Sequence, residues 1–307
     1  MKLKTIKKTI ITKLEDWLSS ITDEQLRKDV KDNLLLSGGS IVSMLLKEPV
    51  NDYDIYIKDM GVLIRLAEYY TAPDLVLDGR KRNEYIKDYI VSKNLGFWGT
   101  VETFLAESGD DSEKLVRYRT LKENQVKLDI PSEGINGEDF YKNKKAGISE
   151  TPYRVAFLSP NAISLTDDIQ IVLRFHGTAE EIHKTFDFIH ATNYFTFKEG
   201  LVLNNDALVS ILTKELKYQG SYYPLTSIIR MKKFLNRGWN ITAGEMLKIM
   251  FQISELDLTN VDVLEEQLIG VDIAYFSTLV EILRNSKNKN WDYSYLESII
   301  EKVFNNG

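Results

Sequence analysis

Residues 34–57 read LLLSGGSIVSMLLKEPVNDYDIYI. An apolar run ends in a serine and two adjacent glycines, a second is stopped by Pro49, and an Asp-Tyr-Asp sits inside a third. The pattern predicts a short strand over Leu34–Leu36, a turn at Gly38-Gly39, and a helix whose apolar part is Ile41–Leu46. Tyr53, Ile55 and Ile57 alternate with Asp52, Asp54 and Tyr56, which is strand periodicity and sends both aspartates to one face. Asp is depleted in strands, and an unpaired buried carboxylate is costly, so two on one face need a compensating partner. A divalent cation is the simplest partner. Two Mg²⁺ ions about 3.5–4 Å apart stabilise both the attacking and the leaving oxygen in phosphoryl or nucleotidyl transfer. Mg²⁺ binds through one or two carboxylates plus substrate phosphates, so Asp52 and Asp54 suffice to begin a site. Gly38, Gly39 and Ser40, at the start of a helix, offer bare amides and a hydroxyl to phosphate oxygens. The blander alternative is a turn ending in Asn51-Asp52, with Asp54 facing water on an edge strand.

Composition narrows the field. A chain of 307 residues can carry two domains, or one with an elaboration. Its hydrophobic fraction of 43% and charged fraction of 27% are those of ordinary globular proteins. A formal net charge of -6 argues against a general polyanion binder, so any nucleic-acid contact needs a local basic patch. The absence of cysteine excludes disulfides and thiolate zinc sites. The N-terminal stretch MKLKTIKKTIITKLEDWLSSI is interrupted by Lys13, Glu15 and Asp16, unlike a signal peptide. No apolar run is long enough to span a bilayer, so a cytoplasmic protein without a membrane partner is expected.

Working outward, Ile6, Ile10, Leu14, Trp17, Leu18 and Ile21 mark an amphipathic helix. Thr22, Asp23 and Glu24 look like the cap of a second helix ending near Asn33, and Met60–Tyr70 reads as another. From Pro73 to Ser149 the chain is charged and poor in long apolar runs, which suggests an insertion of local helices and loops that covers the site or grips a substrate. Ala162–Leu165 and Ile169–Phe175 predict a hairpin around Thr166-Asp167-Asp168. Thr178 and Glu181 form a capping box at the start of GTAEEIHKTFDF. Beyond about Asn205 the pattern is helical almost throughout, with a break at Leu235–Thr242 and Gly238 as a terminator. No internal repeat is seen. The expectation is an α+β chain: a small mixed-sheet domain over residues 1–200, with its insertion at about 73–149, and a helical domain over 201–307.

GGSIVSMLLKEPVNDYDIYI resembles the head of the poly(A) polymerase and CCA-adding tRNA nucleotidyltransferase superfamily of the bacterial type. There, too, Gly-Gly and a small residue precede an apolar helix and an Asp-x-Asp strand. IQIVLRF (Ile169–Phe175) is similar to the strand that follows and ends in Arg. FDFIHATN (Phe186–Asn193) is similar to an Arg-Arg-Asp-Phe segment. YPLTSIIRMKKFLNRGWNI (Tyr223–Ile241) is similar to an Asp-Pro-Leu-Arg helix. A looser likeness, through the Asn-Asp-Tyr-Asp strand, the Phe-Asp-Phe and the Tyr-Pro-Leu helix, runs to nucleotidyltransferase-like proteins of bacteriophages, whose setting would be the host cytoplasm. The resemblance implies a palm-like domain in which Asp52 and Asp54 bind Mg²⁺ or Mn²⁺ while Gly38, Gly39 and Ser40 face the phosphates of an NTP. It also implies that Asp187 contacts ribose or serves as a third carboxylate, and that the acceptor is an RNA or tRNA 3′ end. The chain departs from the family at the residues that read base and ribose. Val42-Ser43 replace Arg-Asp, Thr185-Phe186 replace Arg-Arg, Tyr222-Tyr223 replace Glu-Asp, and Thr226 replaces Arg. These departures argue against CCA addition.

Arg174, Lys184, Arg230, Lys232 and Lys233 are candidate triphosphate cations, and solvated helix faces are the plainer reading of the lysines. Arg230 and Arg237 are seven apart and share a face if one helix spans them. His176, His183 and His190 recur at the same interval and could meet on one helix side, as a metal trio or as a partly buried segment. Tyr222, Tyr223 and Trp239 could stack on a base or belong to the core. Three functions remain open: nucleotidyl transfer to a nucleic acid, transfer to a protein or small molecule, and a non-catalytic module that retains the fold.

Overall fold

The computed structural model describes residues 2–71, 117–122, 124–129, 152–158, 161–258 and 260–267. The chain divides into two compact units, Met1–His183 with Ala191–Asn204, and Lys184–His190 with Asn205–Gly307.

The first unit opens with helix α1 (Leu3–Ser20), which buries Ile6, Ile10, Leu14, Trp17 and Leu18 along one stripe. Helix α2 (Glu24–Asn33) starts at Asp23, whose carboxylate accepts from the Leu26 amide. Strand β1 (Leu34–Ser37) leads through Gly38 into α3 (Gly39–Leu46). That helix closes at Lys47 in a left-handed conformation, two residues before Pro49. Strand β2 (Tyr53–Ile57) and helix α4 (Met60–Thr71) follow. Within the expected insertion, Arg117–Lys122 (β3) and Gln125–Asp129 (β4) are antiparallel strands, and Gln125 pairs with Phe175. The reading of helices and loops is therefore corrected there, and the rest of 73–149 lies outside the described residues. Strands β5 (Val155–Leu158), β6 (Ala162–Leu165) and β7 (Ile169–His176) come next. The β6–β7 turn carries Asp167 and Asp168, both at φ 60°, as a type I′ hairpin requires. The capping box forms as expected: the Thr178 amide donates to Glu181 and the Glu181 amide donates back to the Thr178 hydroxyl. Its helix α5 (Ala179–His183) stops after five residues. Strands β8 (Tyr194–Thr196) and β9 (Gly200–Val202) complete the unit.

Among the described residues nine strands form one mixed sheet, with the path β3-β4-β7-β2-β1-β8-β9 and β5 and β6 joined at β7. β2 runs parallel to β7 and antiparallel to β1. One face, with Leu34, Leu36, Tyr53, Ile55, Ile57, Ile169, Ile171 and Leu173, packs into a core shared with α1, α2 and α4. The opposite face is free to carry polar groups on the strands at the centre of the sheet.

The second unit is mostly helical: α6 (Asn205–Thr213), α7 (Pro224–Asn236), α8 (Ala243–Ser254) and α9 (Val261–Gln267). Two short strands, β10 (Glu215–Leu216) and β11 (Asn240–Ile241), pair in parallel, which helical periodicity did not announce. The break after α7 falls where expected, with Gly238 at φ 77°. Residues 268–307 lie outside the described residues.

Candidate functional site

The core takes Tyr53, Ile55 and Ile57, so alternation sends Asp54 to the other face of the sheet. Asp52 lies one residue before β2, is exposed, and falls on the same side by the same alternation. The chain crosses the end of β1 at Gly38, with φ 92° and ψ -149°. A Cβ placed there would lie 3.0 Å from Asp54 Oδ2, so a side chain at this position would strike the carboxylate. Both the dihedral and the close approach call for glycine. At Gly39 a Cβ would meet nothing within 4 Å among the described residues, so no packing inside the unit explains that glycine. It leaves bare backbone at the N-terminus of α3, where the first amides have no partner within the helix and the dipole favours anions.

Ser40 is 2% exposed, and among the described residues its Oγ has no hydrogen-bond partner. A buried hydroxyl without a partner is unusual and marks a place where a ligand, ion or water completes the bonding. An exposed carboxylate, a half-buried one, a bare helix N-terminus and an orphan hydroxyl form a donor set that fits Mg²⁺ held together with a triphosphate. Among the described residues, no group of three or more His, Asp or Glu side chains is placed to hold a metal ion. Among the described residues, Asp52 and Asp54 are thus carboxylates that would hold a cation only together with substrate phosphates.

Beside this turn lies a contact of long sequence range. Ser37 is fully buried, and its Oγ is 2.9 Å from His183 Nε2, 2.9 Å from the Asn193 carbonyl and 3.3 Å from that of Ala191. The Gly38 amide donates to Ala191 O at 3.2 Å. Burial lowers His183 from 6.5 to about 4, so its imidazole is neutral near pH 7. Its ring meets Tyr194 edge to face at 5.7 Å.

Arg174 is 4% exposed and sits on β7, four residues beyond Gln170, the partner of Asp54. The pairing of β7 with β2 is irregular between Ile171 and His176, and the Leu173 and Arg174 amides both donate to Asn161 O, so alternation from Gln170 does not extend to Arg174. The remaining candidates belong to the second unit. Asp187 is 4% exposed; Oδ1 accepts from Ser221 Oγ at 2.8 Å and Oδ2 from Arg230 at 2.5 Å. Lys184, Lys232 and Lys233 are exposed. Arg237 follows the last residue of α7 and covers the Phe234 ring at 5.7 Å.

The three histidines do not share a helix, contrary to the trio that their spacing allowed. His176 ends β7, His183 ends α5, and His190 lies in a 3₁₀ turn (Ile189–Ala191). The helix ends at His183, and beyond it Thr185 and Asp187 are buried, with Asp187 bonded to Ser221 and Arg230. His190 packs against Phe234 at 4.5 Å and Trp239 at 4.6 Å. Burial first, and then the Arg237 charge, lower it from 6.5 to about 3. Tyr223 and Trp239 are buried, at 5% and 4%, and therefore cannot stack on an outside base, whereas Tyr222 is 40% exposed.

The positions that depart from the resemblance are largely interior. Val42, Ser43, Thr185 and Thr226 are all buried. Thr226 donates to the Gln267 carbonyl at 2.5 Å, and Gln267 donates to Tyr222 O at 3.0 Å. These side chains serve their own units.

A mixed sheet with a strand–Gly-Gly–helix–strand unit and an acidic pair on its polar face defines an α+β protein with a candidate phosphate and cation site. Residues 8–214 match the family described as Gabija anti-defense 2 family protein, and the chain belongs to that family. It is 26% identical over 131 residues to "Gabija anti-defense 2" of Bacillus phage SPbetaL7, a match covering 42% of this chain and 32% of that protein. The match thus spans about a third of the relative's length. Among solved structures, the Thermotoga maritima CCA-adding enzyme complexed with tRNA aligns at a TM-score of 0.37 and 12% identity, covering 95% of this chain and 60% of that one. The Bacillus stearothermophilus CCA-adding enzyme in complex with CTP aligns at 0.36 and 12% identity, covering 87% and 51%. A tRNA nucleotidyltransferase with a primer tRNA and an incoming ATP analogue aligns at 0.35 and 14%, covering 90% and 62%. The fold class rests on the chain's own strands and helices. Among the described residues no helix is long and apolar enough to cross a membrane.

Proposed function

We propose that this chain is a metal-dependent nucleotidyltransferase, moving a nucleoside monophosphate from an NTP to a hydroxyl acceptor with release of pyrophosphate. We further propose that it does so in the phage-infected host cytoplasm, against the defence named in its family's description. The carrying observation is the glycine turn whose backbone lies against Asp54, with the orphan Ser40 hydroxyl beside it. In this reading Gly39 and Ser40 receive the phosphates, Gly38, whose amide donates to Ala191 O, keeps the turn clear of a side chain, and Asp52 and Asp54 hold Mg²⁺ or Mn²⁺. The cation, when bound, neutralises phosphate charge and polarises the reacting phosphorus. The chain's own contribution is to fix the triphosphate in line with the acceptor, and positioning of this kind supplies most of the rate in phosphoryl transfer. Arg174, buried on β7, is a candidate cation of the same unit. Asp187 and Arg230 pair within the second unit, where Lys184 and Lys233 are exposed.

The acceptor is a nucleic-acid 3′ end, a protein or a small molecule of the defence. The buried Val42, Thr185 and Thr226 weigh against templated C and A addition to tRNA. The same departures support a second reading, in which the fold binds a nucleotide or partner without catalysis. Incubation of the protein and its Asp52→Asn/Asp54→Asn variant with each α-labelled NTP and Mg²⁺, in extract of cells carrying the defence, separates the two. Label transferred only by the wild type is expected. An absence of transfer and of pyrophosphate release with every NTP and with both Mg²⁺ and Mn²⁺ would favour the non-catalytic module.

A further inference from the structure

The first fourteen residues hold Lys2, Lys4, Lys7, Lys8 and Lys13 and no acid, in a chain of formal charge -6. Lys2 stands at the N-cap of α1, and Lys4, Lys7 and Lys8 fall in its first two turns; all four are exposed. The helix has no acid in its first turn and no side-chain cap. The positive end of a helix dipole favours acids, so these lysines work against the helix that carries them. A local rule broken without an evident gain in stability points to function. The two acids of α1 are engaged elsewhere: Glu15 pairs with Lys31 at 3.6 Å, and Asp16 accepts from the Tyr153 hydroxyl at 2.6 Å. Among the described residues Lys2, Lys4, Lys7 and Lys8 form no ion pair.

The patch continues to the edge of the sheet, within the same unit. A Cβ built on Gly200 of β9, the strand that ends the sheet's path, would lie 3.1 Å from Lys7 Nζ, so the Lys7 side chain comes up against that edge. Lys198, in the turn before β9, is exposed. Lys4 and Lys8 are about 6 Å apart along the helix axis, and Thr5, Thr9 and Thr12 add exposed hydroxyls. The chemistry favours one kind of polyanion. A helix lying on an anionic membrane buries an apolar face in the headgroup boundary. On α1 that face is inside the protein, with Ile6, Ile10, Leu14 and Trp17 at 0% exposure, and Leu3 is its one exposed large apolar side chain. A protein interface is centred on apolar and aromatic side chains with charges at the rim, and the patch has no such centre. Contacts to a nucleic-acid backbone come from lysines and hydroxyls and need neither. α1 packs on the core face of the sheet, whereas Asp54 is on the other, so the patch is remote from the candidate site.

We propose that the outer side of the first two turns of α1, continued by Lys7 and Lys198 at the β9 edge, is a docking surface for the phosphate backbone of a nucleic acid. The surface is independent of the transfer reading; the two together make nucleic acid the acceptor. The test is fluorescence anisotropy of the full chain with an end-labelled RNA of about 20 nucleotides, single-stranded and as a duplex, between roughly 50 and 200 mM KCl. The wild type should bind at least one of the two, more weakly as salt rises. Lys4→Gln/Lys7→Gln/Lys8→Gln should bind that RNA about tenfold or more weakly, and on the single strand should reduce the log–log salt slope by about 2. Its melting temperature should not fall, because the lysines oppose the helix dipole. Asp52→Asn/Asp54→Asn should bind RNA as the wild type does. No binding of either RNA by the wild type at the lowest salt, or equal binding by the lysine variant, would overturn the proposal. So would RNA binding lost in the aspartate variant and kept in the lysine variant, or a preference for phosphatidylserine vesicles or polyglutamate over RNA that the lysine variant loses. RNA binding through α1 without nucleotide transfer would end the transfer reading and leave this surface standing.

Discussion

Asp54 and Asp187 are both withdrawn from bulk water, and their surroundings differ. Asp187 is 4% exposed, with one oxygen on Ser221 and the other on Arg230. Asp54 is half-buried beside a glycine turn, where a Cβ on Gly38 would lie 3.0 Å from its Oδ2. The lesson is about how a carboxylate is stabilised. A charge balanced within its own unit serves architecture, because moving it breaks a hydrogen-bonded pair. A charge beside a glycine turn at a helix N-terminus is, in the proposed reading, placed to share a cation with phosphates.

This contrast is breakable at several points. The largest effect is expected at the acidic pair: Asp52→Asn/Asp54→Asn should lower nucleotidyl transfer at least 10³-fold, the scale of removing a principal electrostatic group. Its melting temperature without ligand should stay within a few degrees of the wild type. Retention of transfer within tenfold would end the assignment. Asp187→Ala should do the reverse. It removes the carboxylate that Arg230 and Ser221 bond and should cost about 2 kcal/mol, less than the roughly 3–5 kcal/mol of a fully buried pair, because Arg230 is 40% exposed. Denaturant melts would read this, with specific activity per folded molecule unchanged. A loss of activity without a loss of stability would move Asp187 into the chemistry. Gly38→Ala combines a left-handed backbone with a Cβ 3.0 Å from Asp54 Oδ2. About 1–2 kcal/mol of stability should be lost, and NTP affinity should fall further than stability alone explains. Normal affinity would show that the turn and the carboxylate act independently.

A smaller effect follows from the histidines. Burial lowers His183 from 6.5 to about 4 and His190 from 6.5 to about 3. The unfolded chain therefore binds these protons first, and stability is full above pH 6.5 and declines as pH falls below it. The His183 share levels off near pH 4 and the His190 share near pH 3. Denaturation midpoints between pH 7 and 4 should fall less steeply in His190→Phe than in the wild type. Parallel profiles would mean that His190 is not held neutral.

The sequence made local features legible and long-range ones opaque. The Leu34–Ile57 unit could be read because its signals are adjacent: apolar runs, a glycine pair, a proline stop and period-two alternation. The hairpin at Asp167-Asp168 and the Thr178–Glu181 box were readable for the same reason. The pairing of Arg117–Lys122 with Gln125–Asp129 was hidden by its charges, which suggested loops, and by its dependence on Phe175 far along the chain. The two-residue strands β10 and β11 carry too few residues to show a period. The histidine interval of seven suggested one helix because spacing says nothing of where a helix ends. The Ser37–His183 bond, joining residues 146 apart, had no sequence signal. The ion pair of Asp187 with Arg230, 43 residues apart, had none either.

The most direct test of the central claim is thermal melting of the wild type and Asp52→Asn/Asp54→Asn with each NTP, with and without Mg²⁺ or Mn²⁺. A ligand bound only by the folded state raises the melting temperature, by about 2.7 kcal/mol of stability at a hundred times Kd. The account predicts a cation-dependent rise with at least one NTP in the wild type and none in the variant. An equal rise in both proteins, or no rise in either, would contradict it.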